Sequence, residues 1–407
     1  MKLLLLLTTT FPYDNGEEFI ANELEQAKGL DKILICPCNL KANAKQTKAL
    51  PDGVETVPIP RKILDSSIYP RLLLRSAVQD ELFRLLRSGR LQPGRVHELL
   101  FFMKNVLEIY NGLKQTISVQ PSDHVVIYSY WLYDAAAAGV LLARDLRKKG
   151  VKVRQISRAH GFDIHSERSK YGYLPMRSYL FRNLDSIFPC SDDGAGVLKS
   201  QAGENSGKIR RSYLGTRDYG AAVQSRTPFH LVSCSYMVAV KRLHLIAETL
   251  RRANFPVLWT HIGSGPLEDE IRSLAKDFPP QVQAEFLGQR GNKEIMDYYK
   301  SNPVSVFVNV SSSEGIPVSV MEACSFGIPV IATDVGGTHE IVSDGENGFL
   351  IPKDFSPQTL LDSLRKVRSM NEADYSSLCR NSRKMWEEKL NAEENYRKFY
   401  SEIGSGI

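Results

Sequence analysis

Two carboxylates, Glu314 and Glu322, stand on either side of a predicted helix start. Two short β-branched runs flank apolar residues at helical spacing, so this stretch predicts strand, helix and strand. The helix should begin at Ile316 or Pro317, because proline tolerates the first helical turn. Unpaired N–H groups at a helix start attract phosphate, whereas carboxylates beside them need neutral donors such as sugar and ribose hydroxyls. The residue types therefore predict a ligand that carries both phosphate and sugar.

Cationic and glycine-containing loops follow two other predicted strands in the second half of the chain. Lys241 and Arg242 come after one of them, where arginine can fork to two phosphate oxygens and lysine can act as a point charge on a diphosphate. Solvated charges at the start of an amphipathic helix are the alternative. Gly263 and Gly265 form a Gly-x-Gly turn after the next strand, although any tight turn uses such glycines. These loops should meet at the carboxyl edge of a parallel sheet.

The first half of the chain predicts the same kind of unit. Strands are expected at 3–7 and 32–36, with a helix at about 18–28 between them. The loop after the first strand carries Gly16 and Glu17. For Glu17, a plain turn with a capped helix and a ligand-facing loop are both open.

A further strand, helix and strand unit begins near residue 125 and ends in the segment SRAHGFD. Arg158, His160 and Asp163 are expected in the loop after its last strand, on the ligand side of the sheet. A lone histidine in a loop is usually solvated, so position alone does not assign His160 a function.

The stretch 61–117 differs from this alternation. It is helical in pattern, apolar and rich in arginine and lysine, with a break at Gln92-Pro93-Gly94. Such a composition suits an interfacial helix that meets anionic lipid. Helices of an α/β domain also need an apolar face against their sheet, and arginine stems cover such faces. Contact with an anionic membrane and ordinary packing are therefore both open.

Composition sets outer limits. The 407 residues carry a net charge of +6 spread over 52 basic and 46 acidic residues, which does not fit a polycationic nucleic-acid binder. Six scattered cysteines without metal-ligand spacing favour a reducing cytoplasm and no metal. The first five leucines are too short a run for a signal peptide and predict a buried strand. No run is long enough to span a bilayer, so any membrane contact should be peripheral.

The whole stretch around the two acids resembles a known family. Glu314 and Glu322 with seven residues between them, EGIP at one end and MEACSFGIPVIATDVGGTHEIV following, resemble the E-x7-E signature of the retaining GT-B glycosyltransferases of family 4. The segments FPYDNGEEFIANELE and SRAHGFD resemble members that build bacterial capsule, exopolysaccharide or O-antigen. The resemblance covers nearly all of the chain and is weakest at 40–120.

The resemblance implies an α/β architecture, the GT-B fold, with two Rossmann-like doubly wound domains facing each other across a cleft. The implied boundaries are an N-terminal acceptor-side domain at 1–214 with a helical insert at about 61–117, a C-terminal nucleotide-sugar-binding domain at 215–385, and a final helix at 386–407 that crosses back to the N-domain.

The resemblance also implies roles. Glu322 would hold the ribose hydroxyls and Glu314 a hydroxyl of the donor sugar, while His160 would position the sugar and Lys241 and Arg242 would hold the departing diphosphate. Further donor contacts are implied for the backbone of Gly315, Ile316, Pro317 and Val318, for Gly263 and Gly265, for Gln289 and Arg290 at the base, and for Gly16. Acceptor-side positions would be Glu17, Arg158 and Asp163.

Most relatives have an arginine where this chain has Tyr236, which puts a two-cation clamp in doubt unless Arg242 replaces it.

The implied activity is transfer of a sugar from a nucleotide-diphosphate donor, with UDP expected, to a hydroxyl of a glycan or lipid-linked acceptor. No cofactor and no metal are expected, and the expected location is the cytoplasm, peripherally at the inner face of the plasma membrane. One rival is a nucleotide-sugar-binding subunit that has lost turnover. The other, a GT-B phosphorylase, needs a pyridoxal-phosphate lysine in a much longer chain, so length argues against it.

Overall fold

The computed structural model describes residues 1–14, 16, 17 and 19–405, which form two units. One unit comprises Met1–Tyr213 together with the chain from Tyr396 onward, and the other comprises Leu214–Asn395. Each unit has its own parallel sheet and its own hydrophobic core.

The sheet of the first unit is built from six parallel strands. They are β1 (Lys2–Thr8), β2 (Lys32–Pro37), β3 (Val54–Thr56), β4 (His124–Ser129), β5 (Lys152–Ala159) and β6 (Ser186–Pro189). Their order across the sheet is β3-β2-β1-β4-β5-β6. The five leucines of β1 are at most 2% exposed, because the strand is central and covered on both faces. The predicted buried first strand is confirmed.

Helices cover this sheet. They are α1 (Phe19–Leu24), α2 (Ile68–Leu73), α3 (Ser76–Arg87), α4 (Pro93–Thr116), α5 (Asp134–Lys148), α6 (Arg177–Asn183) and α7 (Asp192–Ala202). The helical character predicted for 61–117 is confirmed from Ile68 onward, and α4 begins with Pro93 in its first turn. The helix predicted for 18–28 was too long, because α1 ends at Leu24. Turns follow it up to Gly29, which has φ +82°. Glu18, the predicted start of that helix, lies outside the described residues.

The second unit has six parallel strands as well. They are β7 (His230–Cys234), β8 (Val257–Ile262), β9 (Val282–Phe286), β10 (Val306–Asn309), β11 (Val330–Thr333) and β12 (Gly348–Ile351). Their order is β12-β11-β10-β7-β8-β9. Counted from its own first strand, each sheet therefore has the order 3-2-1-4-5-6 of a doubly wound Rossmann-type sheet.

The remaining helices follow these strands. They are α8 (Leu243–Leu250), α9 (Glu268–Ala275), α10 (Asn292–Ser301), α11 (Val318–Ser325), α12 (Pro357–Ser369), α13 (Glu372–Met385) and α14 (Ala392–Gly404). α14 starts in the second unit, and from Tyr396 its residues belong to the first. Its aromatic side chains Tyr396, Phe399 and Tyr400 are buried.

Candidate functional site

The strand order of each sheet reverses beside its first strand, between β1 and β4 in the first unit and between β7 and β10 in the second. Open α/β sheets bind ligands at the carboxyl ends of their strands at such a point. In the second unit the loops after β7 and β10 are joined there, because the amide of Ser312 donates to the carbonyl of Val240 over 2.8 Å. These two loops form the main candidate site.

Lys241 and Glu314 form an ion pair between these loops, although they lie 73 residues apart in sequence. Lys241 Nζ is 2.6 Å from Glu314 Oε1, and Asn309 Nδ2 donates to the same oxygen over 3.4 Å. The two side chains are only 25% and 11% exposed, so solvent screens their charges less than at an open surface. The structure thus brings together two residues that the sequence placed in one site.

α11 begins at Val318, one or two residues later than predicted. Pro317 has φ −74° and ψ 113°, and its carbonyl accepts the first helical hydrogen bonds, so it is the N-cap. Proline has no N–H, and the backbone contact predicted for Pro317 as a donor is therefore wrong. The orphan amides of the first turn start at Val318, and those of Gly315 and Ile316 come just before the cap.

Two glycines support the loop that carries Glu314. Gly336 has φ +53°, a conformation that favours glycine, and a Cβ there would lie 2.0 Å from the carbonyl oxygen of Glu314. The amide of Gly337 donates to the carbonyl of Gly315 over 2.7 Å. The Gly-Gly pair therefore fixes the backbone immediately before α11.

Glu322 lies in the second turn of α11 and is 7% exposed. Its Oε1 accepts a hydrogen bond of 2.6 Å from Nδ2 of Asn292, the first residue of α10. Burial raises the pKa of Glu322 to about 7, and the bond from Asn292 opposes that rise. Burial raises the pKa of the Cys234 thiol, the negative charge of Glu322 adds to that rise, and the positive charge of Lys241 opposes it.

Arg242 does not join the predicted charge clamp. Its guanidinium donates to the carbonyls of Val310, Lys353 and Ser311, at 2.8, 2.8 and 3.3 Å. Its backbone is left-handed, with φ +50°, and burial lowers its pKa. These contacts assign Arg242 to holding the loop after β10, because its donors are committed to backbone oxygens. Tyr236, at the position where relatives have an arginine, is exposed.

The loops after β8 and β9 lie at the same edge of the sheet. Gly263 has φ +137°, its amide donates to the carbonyl of Gly288 over 2.9 Å, and a Cβ there would meet the carbonyl oxygen of Ser235 at 2.0 Å. A Cβ at Gly265 would lie 2.6 Å from the carbonyl oxygen of Met237. Both glycines therefore allow the loop after β8 to pack tightly against the loop after β7.

The two predicted base-contacting residues are next to these glycines. Gln289 Oε1 accepts from Ser264 over 3.4 Å, and Arg290 is exposed and pairs with Glu294 at 3.3 Å. Glu294 also accepts from the amide of Gly291, which caps α10. The loop is thereby ordered close to Asn292, the partner of Glu322.

In the first unit, Glu17 organises the loop after β1. Its carboxylate accepts hydrogen bonds from the amides of Thr9, Thr10 and Phe11, at 2.9 Å for the shortest bond to each, and from the indole of Trp131 at 2.7 Å. These donors fill the carboxylate, so the observed role of Glu17 is structural rather than acceptor-facing. The neighbouring Gly16 has φ +117° and is exposed.

Glu17→Ala is expected to lower the free energy of unfolding by about 2 to 4 kcal/mol, because it leaves three amides and an indole N–H without their acceptor. Urea unfolding monitored by circular dichroism measures this. Asp52→Ala, at an exposed position of the same unit, is the control and should change stability by less than about 0.5 kcal/mol. Equal stability of the two variants would contradict the role given to Glu17.

Arg158 and Asp163 are not on an acceptor-facing surface. Arg158 lies within β5, is fully buried, donates to the hydroxyl of Tyr128 over 2.9 Å and packs 4.2 Å from the ring centre of Phe399. Asp163 is also fully buried and accepts from the amides of Leu132, His160 and Gly161. The structure does not support an acceptor-side position for either, because both side chains are fully buried inside the unit.

His160 is half-buried among aromatic rings at the carboxyl edge of this sheet. Its ring centre lies 4.6 Å from those of Tyr130 and Trp131, and Nε2 is 3.0 Å from the carbonyl oxygen of Tyr130. A carbonyl only accepts, so Nε2 carries the proton and Nδ1 is an acceptor. Burial lowers the pKa of His160 to about 4, and the imidazole is therefore neutral at pH 7.

Three residues important to these sites were not predicted from the sequence, namely Asn292, Asn309 and Trp131. Each hydrogen-bonds to a predicted acid. Asn292 is the first residue of α10, Asn309 is the last residue of β10, and Trp131 follows β4 by two residues. Their position at strand and helix ends is the signal that could have identified them, because such positions meet at the ligand edge.

Two other features are absent from the part of the chain that the structure describes. Among the described residues, no group of three or more His, Cys, Asp or Glu residues is arranged to hold a metal ion. Within the same residues, none of the helices combines the length and apolarity needed to cross a bilayer.

Residues 224–388 match the family described as Glycosyl transferases group 1. Lys241, Glu314, Glu322 and Asn292 all lie in this matched segment. Putative colanic acid biosynthesis glycosyltransferase WcaL of Salmonella typhimurium is 32% identical over 228 residues, which cover 53% of this chain. The match spans 56% of the length of that relative.

Two solved structures match over the full length of both chains. Anabaena Alr3699/HepE in complex with UDP has a TM-score of 0.65 at 15% identity. The lipopolysaccharide outer core galactosyltransferase WaaB in its apo form has a TM-score of 0.68 at 16% identity. At such low identity the likeness shows the fold alone. The predicted GT-B fold with two Rossmann-like units is confirmed.

Proposed function

We propose that the protein is a retaining glycosyltransferase of family 4 that transfers a sugar from a nucleotide-diphosphate sugar, with UDP as the expected nucleotide. The acceptor is a hydroxyl of a glycan or a lipid-linked saccharide in bacterial surface polysaccharide synthesis. The observation that carries this proposal is the Lys241–Glu314 ion pair beside the first turn of α11, with the buried Glu322 in the next turn. The group 1 match, the colanic acid relative and the UDP complex of HepE support it.

In this proposal each group of the candidate site meets one part of the donor. Glu322 accepts from the ribose hydroxyls, Glu314 accepts from a hydroxyl of the transferred sugar, and Lys241 meets the diphosphate. The amides at the start of α11 add partial positive charge for phosphate and sugar oxygens. His160, through its Nδ1 lone pair, accepts from a sugar hydroxyl and so positions the sugar rather than moving a proton.

The proposed reaction depends on the positive charge of Lys241 more than on a general base. As the sugar leaves, negative charge builds on the diphosphate, and a preorganised cation stabilises that charge more in the transition state than in the ground state. In a front-face displacement with retention, the departing phosphate takes the proton of the acceptor hydroxyl. We therefore propose a reaction without metal, in the cytoplasm, where Lys241 supplies the positive charge.

A catalytically inactive nucleotide-sugar-binding subunit is the second candidate. The exposed Tyr236 in place of an arginine, and the commitment of Arg242 to backbone carbonyls, are the observations in its favour. We do not favour it, because Lys241 and Glu314 are paired and aligned at the switch point of the sheet. An inactive subunit would not need this pair.

A thermal-shift screen with UDP-, GDP- and ADP-sugars tests the proposal. A ligand present at a hundred times its dissociation constant adds about 2.7 kcal/mol to stability. Stabilisation by UDP-sugars together with slow release of UDP from the donor would support an enzyme. Stabilisation without any UDP release would support the binding subunit, and no stabilisation by any nucleotide sugar would overturn both.

Glu314→Gln is expected to leave UDP affinity within about twofold of the wild type and to lower use of the intact donor by about tenfold or more, since it removes one charged acceptor for the sugar. Calorimetric titration with UDP and kinetics with the UDP-sugar measure the two effects. Glu268→Gln, on α9 of the same unit, is the control and should change neither. An equal loss of UDP affinity in Glu314→Gln and Glu322→Gln would contradict the separate roles.

A further inference from the structure

Exposed apolar side chains concentrate on the helices that precede β4. Of the twelve large hydrophobic side chains that the structure describes as exposed, six lie between residues 73 and 101: Leu73, Leu74, Phe83, Leu86, Leu91 and Phe101. So high a density on one short stretch of a water-soluble surface marks an interaction site.

α3 shows how this surface arises. Val78 and Leu85 lie on its buried side and pack into the core of the first unit. Phe83 and Leu86, three residues apart and thus neighbours on the helix surface, are nevertheless 64% and 60% exposed. We call Leu74, Phe83 and Leu86 the apolar rim. Packing inside the unit does not account for the rim.

A cavity of about 480 Å³ lies among α3, α4, α5 and α6. Arg75, Arg144 and Arg182 line it, together with Tyr179. Burial raises the pKa of Tyr179, and the positive charges of all three arginines oppose that rise. Among the residues that the structure describes, none forms an ion pair or a hydrogen bond with these guanidinium groups.

The first cavity is linked to Phe83 of the apolar rim through a second cavity. This second cavity of about 440 Å³ shares Asp80 and Arg182 with the first, and Phe83 lines it. Asp80 is the acid among the residues that line the first cavity, and Asp80 and Glu204 are the acids among those that line the second. Arg84, in contrast, forms an ion pair of 2.5 Å with Glu81, and its role is structural.

We propose that this cavity binds the phosphate group of an anionic membrane lipid while the apolar rim enters the lipid surface. Three unpaired guanidinium groups are complementary to a phosphate, and arginine is the side chain best suited to hold one. Exposed leucine and phenylalanine next to them supply the apolar area that a soluble anion would not need. The combination of both features selects a lipid over a free phosphate.

Co-sedimentation of the full chain with vesicles tests the proposal. The wild type should pellet with vesicles of phosphatidylcholine and phosphatidylglycerol, less at high salt, and should stay in solution with phosphatidylcholine alone. The combined variant Arg75→Gln, Arg144→Gln and Arg182→Gln should lose on the order of a hundredfold in partitioning, since each cation contributes several-fold. The variant Phe83→Ser with Leu86→Ser should also lose binding.

A matched control removes three other exposed charges, Lys148→Gln, Lys149→Gln and Arg252→Gln, and should bind like the wild type. Donor hydrolysis without vesicles should be unchanged in all variants, which shows that they are folded and keeps this test separate from the enzymatic one. Failure of the wild type to pellet with anionic vesicles, or equal loss in the control, would overturn the proposal. A thermal shift by inorganic phosphate without vesicle binding would assign the cavity to a soluble anion instead.

Discussion

Lys241→Ala is expected to lower kcat by about a hundredfold or more, with a smaller effect on donor binding, because one preorganised contact to the leaving group is lost in the transition state. The structure offers no replacement from the adjacent Arg242, whose guanidinium is bound to three carbonyls. Steady-state kinetics with the UDP-sugar measures the effect. Lys276→Ala, an exposed lysine of the same unit, is the control and should keep wild-type kcat.

The loss in Lys241→Ala has two components that a second variant separates. Without Lys241, the mostly buried Glu314 lacks its partner at 2.6 Å and would repel the diphosphate. The double variant Lys241→Ala with Glu314→Gln removes that repulsion. If the missing cation is the main cause, the double variant is at least as slow as the single one, because Glu314→Gln also removes a proposed sugar contact. Recovery of kcat in the double variant would assign the loss to the negative charge of Glu314, and an unchanged kcat in Lys241→Ala would remove the lysine from the mechanism.

The architecture was largely readable from the sequence, because its signals are local. β-branched and leucine runs separated by helical patterns predict parallel strands with crossover helices, and the five leucines of β1 are buried as expected. β3 was missed because its residues, Val54–Thr56, form a short strand at the sheet edge and are only partly buried. Such a strand has no apolar pattern to reveal it.

The errors at the site have a different cause. Whether an arginine meets a ligand or a carbonyl depends on groups far away in sequence, and the partners of Arg242 include Lys353, 111 residues later. Arg158 similarly packs on Phe399, which α14 supplies. A loop position therefore predicts proximity to the ligand edge, whereas the direction of the side chain is set by tertiary contacts.

Glu17 and Asp163 show the same limit for acids. Both lie close to the ligand edge of their sheet, as predicted, yet their oxygens accept from backbone amides of the loops around them. An acid beside several loop amides is a common device for ordering a turn. Glu314 and Glu322 could be recognised as a set because their spacing around a helix start resembles a family signature, which single acids lack.

Glu322→Gln is expected to weaken UDP binding on the order of tenfold to a hundredfold, because hydrogen bonds from the ribose hydroxyls to a carboxylate become bonds to a neutral amide.

The same substitution is expected to stabilise the ligand-free protein at alkaline pH. Burial raises the pKa of this carboxyl from 4.5 to about 7, so the folded protein holds its proton more tightly than the unfolded chain. The stability that the protonated group contributes is therefore full below pH 4.5 and is lost as the pH rises through about 7.

The proton on the Glu322 carboxyl sets the direction of two pH effects, one on stability and one on UDP affinity. Well above pH 7 the ionised, buried carboxylate costs about 3 kcal/mol of stability, and a glutamine does not carry this cost. Glu322→Gln should therefore be more stable than the wild type at pH 8 and close to the wild type at pH 5. Bound ribose hydroxyls favour the ionised form, and wild-type affinity for UDP should rise from pH 6 to pH 8 relative to that of the variant. Because the terminal phosphate of UDP titrates in the same range, the difference in UDP affinity between the two proteins is the quantity to follow.

Calorimetric titration with UDP and urea unfolding, each at several pH values, measure the affinity and the stability, with Glu268→Gln as the control. Parallel pH profiles for wild type and Glu322→Gln would show that this carboxyl does not titrate near neutrality, and equal UDP affinities would show that it does not meet the nucleotide.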